Sequence, residues 1–169
     1  MILKPQDVLV LLKLSVLKDQ AWSYAGLAKA LKMSVAEVHD GLKRATAARL
    51  FNPETKRPVR RALEEFLIHG VKYAYPPEKG GPTRGIPTAY AANPLKGWIF
   101  QGDDLPPVWP SPDGETSGYA FSPLFKSVPA AVQGDEKLYE LLVLVDAIRD
   151  GRARERDYAA EQLRHRLRE

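Results

Sequence analysis

The densest run of chemically useful side chains lies between residues 43 and 61. Lys43, Arg44, Arg49, Lys56, Arg57, Arg60 and Arg61 stand there against a single acid, Glu54. Cations crowded into one short stretch make a local field suited to a polyanion. The rest of the chain does not share this bias. Residues 1–72 hold 13 Lys/Arg against 7 Asp/Glu, whereas residues 73–134 hold 4 against 5 and residues 135–169 hold 8 against 9. The net charge of +4 is therefore an N-terminal property.

Other groupings promise less. Gly80 to Gly85 has the glycine spacing of a phosphate loop, but Ile86-Pro87 follows where Lys and Ser/Thr are required, so a Pro-containing surface turn is expected. Asp103-Asp104, Asp113 and Glu115 lie among prolines and read as solvated loop. His39, His69 and His165 are scattered without metal-ligand spacing. Glu161, His165 and Glu169 sit four apart and read as exposed helical pairs. With no Cys, disulfides, zinc fingers and thiol catalysis are excluded. No enzyme activity and no cofactor are expected.

The elements that must hold the basic run are helical in pattern. Pro5 opens a first helix whose buried stripe is Val8, Leu11, Leu12, Ser15 and Val16. Ser23 caps a second, with Leu27, Ala28 and Leu31 facing inward. After Lys32-Met33, Ser34 and Glu37 form an S-x-x-E capping box that starts a third helix. Its inner face is Val38, Leu42, Ala45 and Leu50. Asn52-Pro53-Glu54-Thr55 predicts a type I turn, and a fourth helix is expected from about Val59 to His69.

The segment from Leu27 to Phe51 resembles the winged helix-turn-helix of bacterial transcriptional regulators of the MarR and IclR types. Leu27-Ala28, Leu31, Met33, Ser34, Val38, Leu42, Ala48, Leu50 and Phe51 match that pattern, while Arg49 replaces a usual Gly and Ala45 a usual larger apolar residue. The resemblance implies a sequence-specific regulator that binds double-stranded DNA, with Ser34–Leu50 as the recognition helix. Ser34, Val35, Ala36, His39 and Asp40 would then face base edges. Lys43, Arg44, Lys56, Arg57, Arg60 and Arg61 would hold phosphates, the hairpin acting as a short wing.

Residues 1–70 are thus read as the DNA-binding domain. Residues 71–132 carry 11 of the 14 prolines and many aromatics, including Tyr73, Tyr75, Tyr90, Trp98, Phe100, Trp109, Tyr119, Phe121 and Phe125. This segment is expected to be ordered but irregular, with short strands at Val71–Tyr75, Thr88–Ala91 and Trp98–Phe100. Its aromatics are read as cover for neighbouring elements ahead of an effector pocket. Residues 133–169 return to helix. There the stripe Leu138, Leu141, Leu142, Val145 and Ile148 is read as a homodimer or protein-partner face.

The expected class is mainly α with minor β (α+β). No apolar run reaches the roughly 20 residues of a membrane span, no secretion signal is seen, and a cytoplasmic location is expected. The alternative is an antitoxin or adaptor whose C-terminal region binds a cognate protein, with DNA binding secondary.

Overall fold

The protein is described by a computed structural model covering residues 1–98 and 104–169. It is an α+β fold. α1 (Pro5–Leu17), α2 (Tyr24–Leu31) and α3 (Val35–Ala47) are followed by a hairpin of β1 (Phe51–Asn52) and β2 (Arg57–Pro58). α4 (Arg60–Glu65) runs through a π-helical turn, Phe66–Gly70, into α5 (Val71–Ala74). A small closed barrel of β3 (Lys79–Pro87), β4 (Pro107–Pro110) and β5 (Thr116–Phe121) comes next. α6 (Val128–Ala131), α7 (Glu136–Asp150) and α8 (Ala153–Arg168) complete the chain.

α1 and α7 form the centre. Val8 to Leu12 are all fully buried, because α1 packs against α2 and α3 on one side and α7 on the other. The single stripe expected for α1 is therefore too narrow: Leu9 and Val10 are inside as well. α7 is covered more completely, with every residue from Leu141 to Arg149 buried. Its neighbours are α1, α5, α8 and the 3-10 turn Ala89–Ala91. One contiguous apolar cluster joins side chains from α1 through α8.

The proline-rich middle departs from its sequence reading at Val71–Tyr75, Thr88–Ala91 and Gly80–Gly85. Val71–Ala74 is helix α5 continuing out of the π turn, with Val71 fully buried on its core face and Tyr75 capping its end. Ala89–Ala91 is not a strand but closes as a 3-10 turn after the extended Thr88. Gly80–Gly85, expected as a surface turn, lies within β3, the longest strand. There the absent side chain matters: a Cβ on Gly85 would run into the Trp109 carbonyl across the β3–β4 ladder. The glycine allows close strand approach in a very small barrel. The strand expected at Trp98–Phe100 lies largely outside the described residues, as do Phe100 and Asp103.

Barrel and helix meet through a polar seam. β3 pairs antiparallel with β4 (Ile86 opposite Trp109) and with β5 (Thr83 opposite Gly118), and Trp109 and Phe121 are fully buried. The Asp146 carboxylate on α7 accepts from Thr88 Oγ1 at 2.6 Å, Trp109 Nε1 at 2.7 Å and Arg149 Nη1 at 2.7 Å. Arg149 also donates to the carbonyls of Tyr75 and Ser122. Burial pushes the Asp146 carboxyl up, and the Arg149 guanidinium and the donors around it oppose that push. Trp109 and Phe121 thus serve as core and Tyr75, Tyr119 and Phe125 pack against it, whereas Tyr73 and Trp98 are exposed.

The stripe Leu138, Leu141, Leu142, Val145 and Ile148, expected as a dimer or partner face, is covered by the chain itself. All five are buried at 0–4% exposure beneath the chain's own elements. An apolar stripe requires a cover, and here the cover is intramolecular. Among the described residues no helix is long and apolar enough to cross a membrane.

Candidate nucleic-acid interface

α2 ends where Lys32 takes the left-handed conformation (φ 56°) and its N–H closes on the Ala28 carbonyl. Met33 is tucked inward, and Ser34 then caps α3. The capping box is complete. Ser34 Oγ accepts from Glu37 N–H and Glu37 Oε1 accepts from Ser34 N–H, both at 3.0 Å. The Ser34 N–H accordingly holds the Glu37 carboxyl below its usual range. At the far end Arg49 sits at φ 64°, the left-handed backbone that a Gly would adopt more easily, and α3 stops there.

The two faces of α3 separate cleanly. Val38, Gly41, Leu42 and Ala45 are buried, while Ser34, Val35, Ala36, His39, Asp40 and Lys43 are exposed. Val35 is half exposed, unusual for a residue of its size and chemistry. Asp40 lies 3.7 Å from His39 Nδ1, and Lys43 follows along the same helix. This outer row offers methyl groups, one imidazole, one carboxylate and one ammonium, and no element of the described chain covers it.

Arg44 belongs elsewhere, which corrects its assignment to phosphate. Its Nε and Nη2 donate to Asp7 Oδ2 and Oδ1 at 2.7 and 2.9 Å, and Asp7 is fully buried on α1. The hydrogen bonds to Asp7 raise the Arg44 pKa further above its usual range. Asp7 also accepts the Lys4 N–H at 2.9 Å. Gly41 leaves room for this pair, since a Cβ there would lie 2.8 Å from Asp7 Oδ1. The geometry is a bidentate clamp that fixes α3 on α1.

The hairpin pairs Phe51 with Pro58 and Asn52 with Arg57. Asn52 Oδ1 accepts the Glu54 N–H at 2.9 Å, building the turn around Pro53. Lys56, Arg57, Arg60 and Arg61 are exposed, and Arg57 pairs with Asp19 of the α1–α2 turn. Trp22 Nε1 donates to the Lys56 carbonyl at 3.0 Å.

Two residues went unnoticed in the sequence. Trp22 stands edge-on to both Phe51 and Tyr24, and Tyr24 packs its ring 5.4 Å from that of His39. A relay of rings therefore runs from hairpin to outer row, and Tyr24 remains 41% exposed. The available signal was a pair of aromatics straddling the Ser23 cap, on a helix whose inner positions were already filled.

Among the described residues no group of three His, Asp or Glu is placed to hold a metal ion. No protein-family model, curated protein or solved structure matches the chain.

Proposed function

We propose that the chain binds double-stranded DNA through a winged helix-turn-helix formed by α1–α3 and the β1–β2 hairpin, and acts as a transcriptional regulator. One observation carries this: the outer row of α3 is bare, while its inner row is clamped to α1 through Arg44 and Asp7. A rigid helix with a free polar face fits the major groove of B-DNA. Val35 and Ala36 suit thymine methyls, His39 suits a purine acceptor, and Asp40 suits a cytosine amine. Lys43, Lys56, Arg57, Arg60 and Arg61 supply phosphate contacts, and Tyr24 borders the same face. A regulator of this kind works in the cytoplasm. The α7 stripe, buried within the chain, is not free to dock a partner protein or a second copy.

The test is a fluorescence anisotropy titration on a mixed-sequence duplex at several salt concentrations. About four to five phosphate contacts predict a slope of log affinity on log salt near −4, at roughly −0.9 per contact. A slope near zero overturns the proposal. His39→Ala with Lys43→Ala is expected to weaken binding while leaving the melting temperature unchanged, because both side chains are exposed.

A further inference from the structure

The C-terminal helix brings a second set of arginines beside the hairpin-proximal ones. An open groove of about 690 Å³ lies between α4 and α8. Arg60, Arg61 and Ile68 line one side, and Arg164 and Arg168 the other. Glu64 joins the walls: its side chain is 10% exposed, and Oε1 lies 2.8 Å from Arg168 Nη2 and 3.7 Å from Arg164 Nε. Glu65 and His69 complete the rim.

Charge decides what suits this groove. Four guanidiniums face two carboxylates, so it stays cationic after Glu64 is neutralised. The shared, nearly buried carboxylate holds Arg164 and Arg168 in place, yet each keeps further N–H donors for another acceptor. Arginine donors fixed in this way lose little side-chain freedom on meeting phosphate oxygens. Ile68 is the only large apolar residue in the lining, too little for a protein partner that needs a desolvated apolar centre.

Position along the chain supplies the rest. Arg60 of α4 follows Arg57 of β2 by only three positions, a span of at most about 10 Å. A duplex gripped at the hairpin therefore passes close to the groove.

We infer that the α4–α8 groove binds the phosphate backbone flanking the site read by α3, with Arg164 and Arg168 extending a track begun by Arg60 and Arg61. This rests on the proposal that α3 and the hairpin bind a duplex. The α8 arginines then serve as sequence-independent grips, 100 residues removed in sequence from the basic run.

The test compares salt slopes on 12- and 24-base-pair duplexes sharing one central sequence. The wild-type chain is set against Glu64→Gln/Arg164→Gln/Arg168→Gln, which removes both arginines without stranding a buried carboxylate. Each lost phosphate contact lowers the slope by about 1, so the triple variant is expected to lose about 2 on the longer duplex and almost nothing on the shorter. Arg164→Gln alone, which leaves the Arg168–Glu64 pair in place, is expected to lose about 1 on the longer duplex and almost nothing on the shorter, and covers the case of a misfolded triple variant. An unchanged slope on the longer duplex, or equal losses on both, overturns the groove assignment while leaving the α3 proposal standing if His39→Ala/Lys43→Ala still weakens binding. Failure of the wild-type chain to bind either duplex overturns both.

Discussion

α3 and α7 are both helices with an apolar side, and the protein uses them in opposite ways. α3 buries one row and leaves the other to solvent. α7 buries its whole circumference from Leu141 to Arg149, Asp146 and Arg149 included. An apolar stripe states that something covers a helix, and says nothing about whether the cover is the same chain. The polar residues opposite the stripe are more informative. On α3 His39, Asp40 and Lys43 stay exposed to solvent; on α7 an Asp and an Arg three residues apart satisfy each other and their neighbours inside the core.

The largest expected effect breaks the α7 side of this contrast. Arg149→Met leaves Asp146 fully buried without its cationic partner, which costs about 3–5 kcal/mol in urea unfolding. Adding Asp146→Leu removes the stranded charge but leaves the buried Thr88 hydroxyl and Trp109 N–H without their acceptor, so only part of that loss is expected back. If α7 instead presented a dimer face, the apparent stability of the single variant would depend on protein concentration. No such dependence is expected.

A smaller effect sharpens the α3 side. Arg44→Ala strands Asp7, but the guanidinium is 15% exposed and water can reach part of the gap, so the expected cost is about 2–3 kcal/mol. The more telling readout is DNA binding. Loss of a positioning clamp lowers affinity without flattening the salt dependence, whereas loss of a phosphate contact would flatten it by about 1. A flattened slope would return Arg44 to the phosphate-binding set.

The same contrast explains what was legible beforehand. The α2–turn–α3 unit could be read because its signals are local: Ser34 and Glu37 three apart, Leu27, Leu31, Val38 and Leu42 at helical spacing. The exposure of the outer row of α3 followed from that register. Arg44 was misassigned because its partner, Asp7, is 37 residues away and lies on another helix. The fate of the α7 stripe depended on α1, α5 and α8 arriving around it, which no local pattern records. β3 was missed because Gly80, Gly81, Pro82 and Gly85 are punctuating residues in isolation, and only the proximity of the Trp109 backbone makes Gly85 a strand residue. Trp22 and Tyr24 carried no periodic signal at all.

The smallest expected effect concerns the start of α3. The Ser34 N–H holds the Glu37 carboxyl below the usual glutamate value of 4.5 against the opposing push of burial, with smaller help from the Ser34 hydroxyl and the charge of Lys126. A depressed carboxyl stabilises the fold fully above its unfolded value and loses that contribution as pH falls through the folded one. Wild type is therefore expected to gain slightly over Glu37→Gln at neutral pH, with the gap closing as pH falls from 4.5 through the lower folded-state value, because Gln still accepts the Ser34 N–H but carries no charge. Thermal melts of the two proteins from pH 3 to 7 check this. A gap that persists unchanged into acid would mean that the carboxylate charge adds nothing to the cap, and that the register of α3 relies on the Ser34 hydroxyl and the Arg44–Asp7 clamp alone.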